Sequence, residues 1–140
     1  MRLEFLASRS RDAPLIRLYG TDVEPLLELS REVERLSSRV SESVEVHRIA
    51  GITAVDECRL TLESVHKRPS SLVAQRNKGL DFVGQATCED WITVHCLIEP
   101  FLRPEPPRGR FQWLLGGDAR GPISASSIAF LLSTYPDGQW

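Results

Sequence analysis

The sequence predicts an α+β domain: a largely antiparallel sheet of about seven or eight strands with two amphipathic helices packed on it. Three observations carry this. Two stretches step their apolar residues by three and four, the helical period. Several others alternate apolar with polar residues, the period of a strand with one buried face. Glycine, proline and short polar runs separate the segments at the spacing of turns rather than of domain linkers. The chain of 140 residues is read as one domain over 1–140.

Leu3 to Ala7 and Leu15 to Tyr19 are rich in strand formers and are separated by a polar loop ending at Pro14. The first helix starts near Thr21, where Thr21 and Glu24 have capping-box spacing and Asp22 is the alternative cap. Leu26, Leu29, Val33, Leu36 and Val40 form its apolar stripe, opposite Glu28, Arg31, Glu32 and Arg35. Ser43 to Ile49 reads as a strand. Cys58 to Ser64 alternates, with Cys58, Leu60 and Leu62 facing one way. Ser71 to Arg76 and Leu80 to Ala86 flank Asn77-Lys78-Gly79, a hairpin turn with glycine free to take positive φ.

The second helix begins after Thr87, again with a capping-box partner at Asp90. Trp91, Val94, Ile98 and Phe101 make its stripe, and Pro100 ends or kinks it near Glu99. Phe111 to Leu115 is a strand. The last one, Ile128 to Ser133, is apolar almost throughout and is expected in a central position, buried on both faces. Each helix sits in a strand–helix–strand unit of similar length, which raises an ancient duplication; residue identity between the units is poor.

The composition narrows the function classes. A net charge of -2 argues against a dedicated nucleic-acid binder, which usually carries a basic surplus. The opening residues do not make a signal peptide, and no apolar run approaches the ~20 residues of a spanning helix. Three irregularly spaced cysteines are not a disulfide framework, so the expected compartment is the reducing cytoplasm with all three as thiols.

The stretch from Cys88 to Phe101 holds the best candidates for chemistry. Cys88, His95 and Glu99 fall within about a 40° wedge of the helix, and His95 and Glu99 are one turn apart, a spacing at which two ligands can share an ion. Thiolate, imidazole and carboxylate are all zinc ligands. Against a metal, Cys88 lies about 10 Å along the axis from His95, and no further ligand motif announces itself. No cofactor is expected. The plainer reading puts these residues at the border of the apolar stripe. Cys88 in the first turn has a separate claim as a reactive thiol, although Glu89 and Asp90 oppose its ionisation and no basic residue is near in sequence. Cys96 is expected to be buried and inert.

Lys67, Arg68, Arg76 and Lys78, with His66, form the most basic region and are candidates for an anion or an acidic partner if strand pairing gathers them at sheet ends. No aromatic residue interleaves with them for base stacking. Gly116 to Gly121 fits no phosphate-loop pattern. Ser124, Ser126 and Ser127 lack a nucleophile-elbow context. His47 reads as structural.

No tight catalytic cluster emerges. The expected function is a non-catalytic, cytoplasmic interaction domain that binds another protein or itself through a sheet face or edge, with Val65, Phe82, Val83 and Trp113 as candidate exposed apolar positions. The alternatives are a small metal- or thiol-dependent enzyme using the helix at 88–99 and a nucleic-acid or anion-binding accessory domain.

Overall fold

A computed structural model describes residues 1–7, 14–67, 72–103, 109–118, 121–122 and 128–136. Arg68, the proline-rich 104–108, Ser124, Ser126, Ser127 and Trp140 lie outside the described residues. In chain order the elements are β1 (Arg2–Leu6), β2 (Leu15–Tyr19), α1 (Val23–Ser37), β3 (Ser43–Glu45), β4 (Thr53–Ala54), β5 (Arg59–Ser64), β6 (Leu72–Gln75) and β7 (Asp81–Ala86). They continue with α2 (Cys88–Ile98), β8 (Phe111–Leu115), β9 (Gly117–Asp118), β10 (Gly121–Pro122) and β11 (Ala129–Ser133).

The α+β class and the two helices hold, but the single, largely antiparallel sheet does not. The main strands form two mixed sheets, a five-stranded one in the order β4-β1-β2-β11-β8 and a four-stranded one in the order β3-β5-β7-β6. The cause is the connections. α1 carries the chain from β2 in the larger sheet to β3 in the smaller, and α2 carries it back from β7 to β8. A helical crossover frees the next strand from antiparallel pairing with the last. The two sheets each contain a parallel pair inside antiparallel neighbours, β2 with β11 and β5 with β7.

Several local expectations meet the structure directly. β6 and β7 form the antiparallel hairpin, with Gly79 at φ +120 in its turn. β11 lies between β2 and β8 with all five residues buried. Ser43 to Ile49 is strand only as far as Glu45; Val46–Arg48 turn as a 3-10 helix that buries Val46. There His47 Nδ1 lies 3.2 Å from the Leu60 amide and accepts its hydrogen bond, which ties the turn to β5.

α1 buries Leu26, Leu29, Val33 and Leu36 as its stripe requires. Val40 is 67% exposed instead of continuing it. The helix stops at Ser37, and Arg39 takes a left-handed conformation at φ 59. Arg39 N–H then donates to the Leu36 carbonyl and Val40 N–H to that of Arg35, a Schellman closure that turns Val40 away from the helical face. Asp22 takes the N-cap position, but its carboxylate accepts from the Met1 amino group at 2.8 Å rather than from the helix. α2 has the capping box that Thr87 and Asp90 foretell. Trp91, Val94, Ile98 and Phe101 are all buried, and a 3-10 turn at Glu99–Phe101 follows where Pro100 interrupts the helix.

One apolar core gathers the inner sides of both sheets and both helices, joining Leu3, Ile16, Phe130 and Leu132 to Leu60, Leu62, Phe82, Leu29 and Trp91. Phe5 and Phe82, ring centroids 4.6 Å apart, connect the two sheets across it. Phe82 is therefore fully buried, not exposed, and Trp113 is only 5% exposed; Val65 and Val83 are half-buried. A smaller cluster of Leu15, Trp113, Ala129 and Leu131 lies on the opposite side of the five-stranded sheet. Cys96, expected in the core, is exposed, because the Trp91–Val94–Ile98 stripe turns it outward. Among the described residues no helix is long and apolar enough to cross a membrane.

Candidate functional site

The end of α1 meets the start of α2, and three elements converge there on one thiol. Cys88, half-buried in the first turn of α2, has Arg39 Nε donating to its Sγ at 3.3 Å and Ser64 Oγ, from the end of β5, at 3.4 Å. The Leu36 carbonyl at the end of α1 lies 3.8 Å away. The hydroxyl of Ser64 and then the guanidinium of Arg39 favour the thiolate and lower the Cys88 pKa below its ordinary value. Arg39 is 49 positions away, so local sequence offers no sign of it. Its left-handed backbone at the helix end is what aims it at the sulfur.

The remaining residues of that helix do not join the thiol. His95 is half-buried and Glu99 exposed, on later turns and outside the contacts of Cys88. Among the described residues no group of three or more histidine, cysteine or carboxylate side chains converges to hold a metal ion. Cys58 is buried under β5, and burial, with Glu4 adding its charge, pushes its thiol up to about 12.

The basic residues separate. β5 and β7 run parallel with Arg59 opposite Asp81 and Ser64 opposite Ala86. Lys67 follows the Ser64 end, while the backbone of Arg76 and Lys78 belongs to the turn at the Asp81 end, about 17 Å away along the strand, from which the Arg76 side chain reaches back toward Glu63. Arg76 Nη2 is 2.6 Å from Glu63 Oε1. Lys78 lines a shallow hollow of about 310 Å³ together with Asp56, Glu57 and Asp81. Arg68 lies outside the described residues.

A groove of about 740 Å³ runs between α1 and β3, floored by Leu27, Val44 and Ile49. Its lining carries four carboxylates, Glu24, Glu28, Glu32 and Glu45, against two arginines. Arg31 pairs with Glu28 at 3.3 Å and Arg48 with Glu45 at 3.2 Å. The outer side of the four-stranded sheet carries the register row Glu45, Thr61, Val83 and Ala74, small and mixed in polarity.

The sheet edges differ more. β4 has two residues and β3 three, and a 3-10 turn follows β3 at once. β6 meets Ile128 through a bridge at Val73. β8 is the long edge: Phe-Gln-Trp-Leu-Leu, five residues without a charge or a proline, paired on one side with β11. Natural edges are usually blunted by charge, proline, brevity or a bulge on the open side. The pairing steps from Leu131–Trp113 to Phe130–Leu115, so the extra residue is Leu114 and β8 carries a bulge at its C-terminal end, leaving 111–113 as its regular stretch.

The hydrogen-bond pattern fixes which groups of β8 face outward. Thr134 N–H donates to the Arg110 carbonyl at 2.8 Å, and Gln112 lies opposite Leu132. Bonded and non-bonded pairs alternate along an antiparallel ladder, so residues 110 and 112 bond β11 while Phe111 and Trp113 point their N–H and C=O away from it. Among the described residues the Trp113 carbonyl accepts only from the Gln112 side chain, at 3.2 Å. Phe111 is 44% exposed and sits edge-on to Trp113 with centroids 6.4 Å apart. From the sequence Trp113 is a candidate exposed position and Phe111 is not; the structure buries Trp113 and exposes Phe111. The missing signal was which strand would be the edge. Comparison with protein-family models, curated proteins and solved structures finds no match, so these residues alone support the functional reading.

Proposed function

We propose that this chain is a non-catalytic interaction domain that offers the outer edge of β8 to an extended segment of another polypeptide. The observation that carries the reading is the uncharged five-residue edge with outward main-chain groups at Phe111 and Trp113 and a half-exposed phenyl ring beside them. Strand addition supplies affinity from main-chain hydrogen bonds and specificity from the alternate side chains. The free state of all three cysteines supports a reducing compartment, the cytoplasm. The test is a comparison of proteins captured from the native cell by the wild type and by Phe111→Pro. Proline at 111 removes an N–H that faces away from β11, so the fold is kept and the edge is blocked. The variant is expected to lose a partner that the wild type holds; an identical set of captured proteins from a folded variant sinks the reading.

A second reading, a thiol-dependent site at Cys88, is favoured by the Arg39 and Ser64 contacts on its sulfur. Alkylation at neutral pH no faster than that of a small free thiol removes it.

A further inference from the structure

We propose that the occupant of the β8 edge is a second copy of this chain, paired antiparallel β8 to β8 about a two-fold axis through Gln112. The inference rests on the interaction-domain reading and names its partner. In the regular stretch of β8 ahead of its bulge, Phe111 and Trp113 direct main-chain groups outward, so two copies can exchange hydrogen bonds where Phe111 of one meets Trp113 of the other. The Phe111 N–H then donates to the Trp113 carbonyl of the second copy, and the Trp113 N–H of that copy donates to the Phe111 carbonyl. The two-fold axis repeats both bonds. Gln112 falls opposite Gln112 in a non-bonded pair.

This register is self-complementary, as a two-fold interface requires. It puts the phenyl ring of each copy across from the indole of the other on one face, a cross-strand pairing that stabilises sheets. The exposed side of Phe111, already edge-on to its own Trp113, gains the neighbour it lacks. The charges also agree. β8 has no ionisable side chain, so the axis brings no like charges together, and Arg110 comes opposite an uncharged leucine, Leu114. What meets across the axis is N–H against C=O. The Gln112 amide on the Trp113 carbonyl serves as a local stand-in for an absent strand, and that oxygen retains a second lone pair for the incoming N–H.

Sedimentation velocity of the full chain across micromolar concentrations is expected to show a reversible dimer. Phe111→Lys, at a half-exposed position, is expected to weaken it at least about tenfold with an unchanged circular dichroism spectrum. In a background with Cys88 and Cys96 replaced by serine, Gln112→Cys is expected to cross-link two copies on mild oxidation, since non-bonded antiparallel pairs hold their Cα atoms about 4.5 Å apart, within disulfide reach. A dimer indifferent to Phe111→Lys, or a Gln112→Cys dimer that does not cross-link, overturns the proposal. A monomeric chain that still loses a captured partner on Phe111→Pro overturns the second copy and leaves the interaction reading standing. A monomer whose captured proteins ignore that proline overturns both.

Discussion

Arg39 Nε donates to Cys88 Sγ at 3.3 Å, bringing the residue that closes α1 onto the one that opens α2. Arg39 holds a left-handed backbone that glycine would occupy without strain. The same residue thus weakens the helix end and supports the thiolate. Arg39→Gly is expected to raise stability by up to about 1 kcal/mol in urea unfolding, since the αL strain goes and the pair is exposed. It is also expected to shift the pH profile of Cys88 alkylation upward. Ser64→Ala should shift the profile the same way, because the Ser64 hydroxyl is the larger cause. A profile unmoved by both substitutions would mean that neither contact persists in solution.

The thiols should separate by reactivity. Cys88 is half-buried and Cys96 exposed, whereas Cys58 is buried. A disulfide reagent is expected to titrate Cys88 and Cys96 in the native chain and Cys58 only after unfolding. The Cys58 pKa rises from 9.0 to about 12 on folding, so the native state holds that proton more tightly than the unfolded state does. Its contribution to stability is complete below pH 9.0 and is lost as pH climbs toward 12. Cys58→Ala is expected to lower stability at pH 7 through the cavity it leaves and to flatten the alkaline decline. An equally steep decline in the variant would assign the slope to other groups.

How much of this was legible in the sequence depends on distance along the chain. The buried stripes, the Thr87–Asp90 cap, the hairpin at Gly79 and the double-sided burial of β11 follow from spacings within one element. Sheet membership does not. Whether the strand after a helix returns to the same sheet is decided by how both sheets pack on one core, and so the pattern points to one sheet where the chain forms two. The same limit hid the candidate sites. Cys88 reads as a thiol opposed by Glu89 and Asp90 until the fold delivers Arg39 and Ser64. Phe111 reads as an ordinary strand residue until β8 becomes an edge.

Among the described residues Trp91 is the largest fully buried side chain, and its indole Nε1 donates to the Glu63 carbonyl at 3.2 Å. It thereby joins α2 to β5 by packing and by one polar bond. Trp91→Phe keeps most of the volume but leaves that carbonyl without the indole donor, at a cost of about 1–2 kcal/mol. Trp91→Ala also opens a cavity, and a loss of about 3–5 kcal/mol is expected. Chemical denaturation followed by circular dichroism measures both. Equal losses for the two variants would show that the hydrogen bond, rather than the packing, dominates.

Gly116 ends β8 at φ +68, and a Cβ there would stand 2.8 Å from the Ile128 carbonyl oxygen. That oxygen is main chain, so it cannot rotate away as a side chain could. Gly116→Ala therefore meets two costs together, a left-handed conformation that alanine disfavours and a collision with the backbone that leads into β11. A loss of about 2–3 kcal/mol in thermal or urea unfolding is expected, and the end of β8 should shift relative to β11. Amide hydrogen exchange reads the second effect directly: protection at Phe130 and Leu131 should fall more than at Leu60 and Leu62 in the other sheet. A variant as stable as the wild type, with exchange unchanged at β11, would show that Ile128 yields and that the β8–β11 junction is looser than its hydrogen bonds imply.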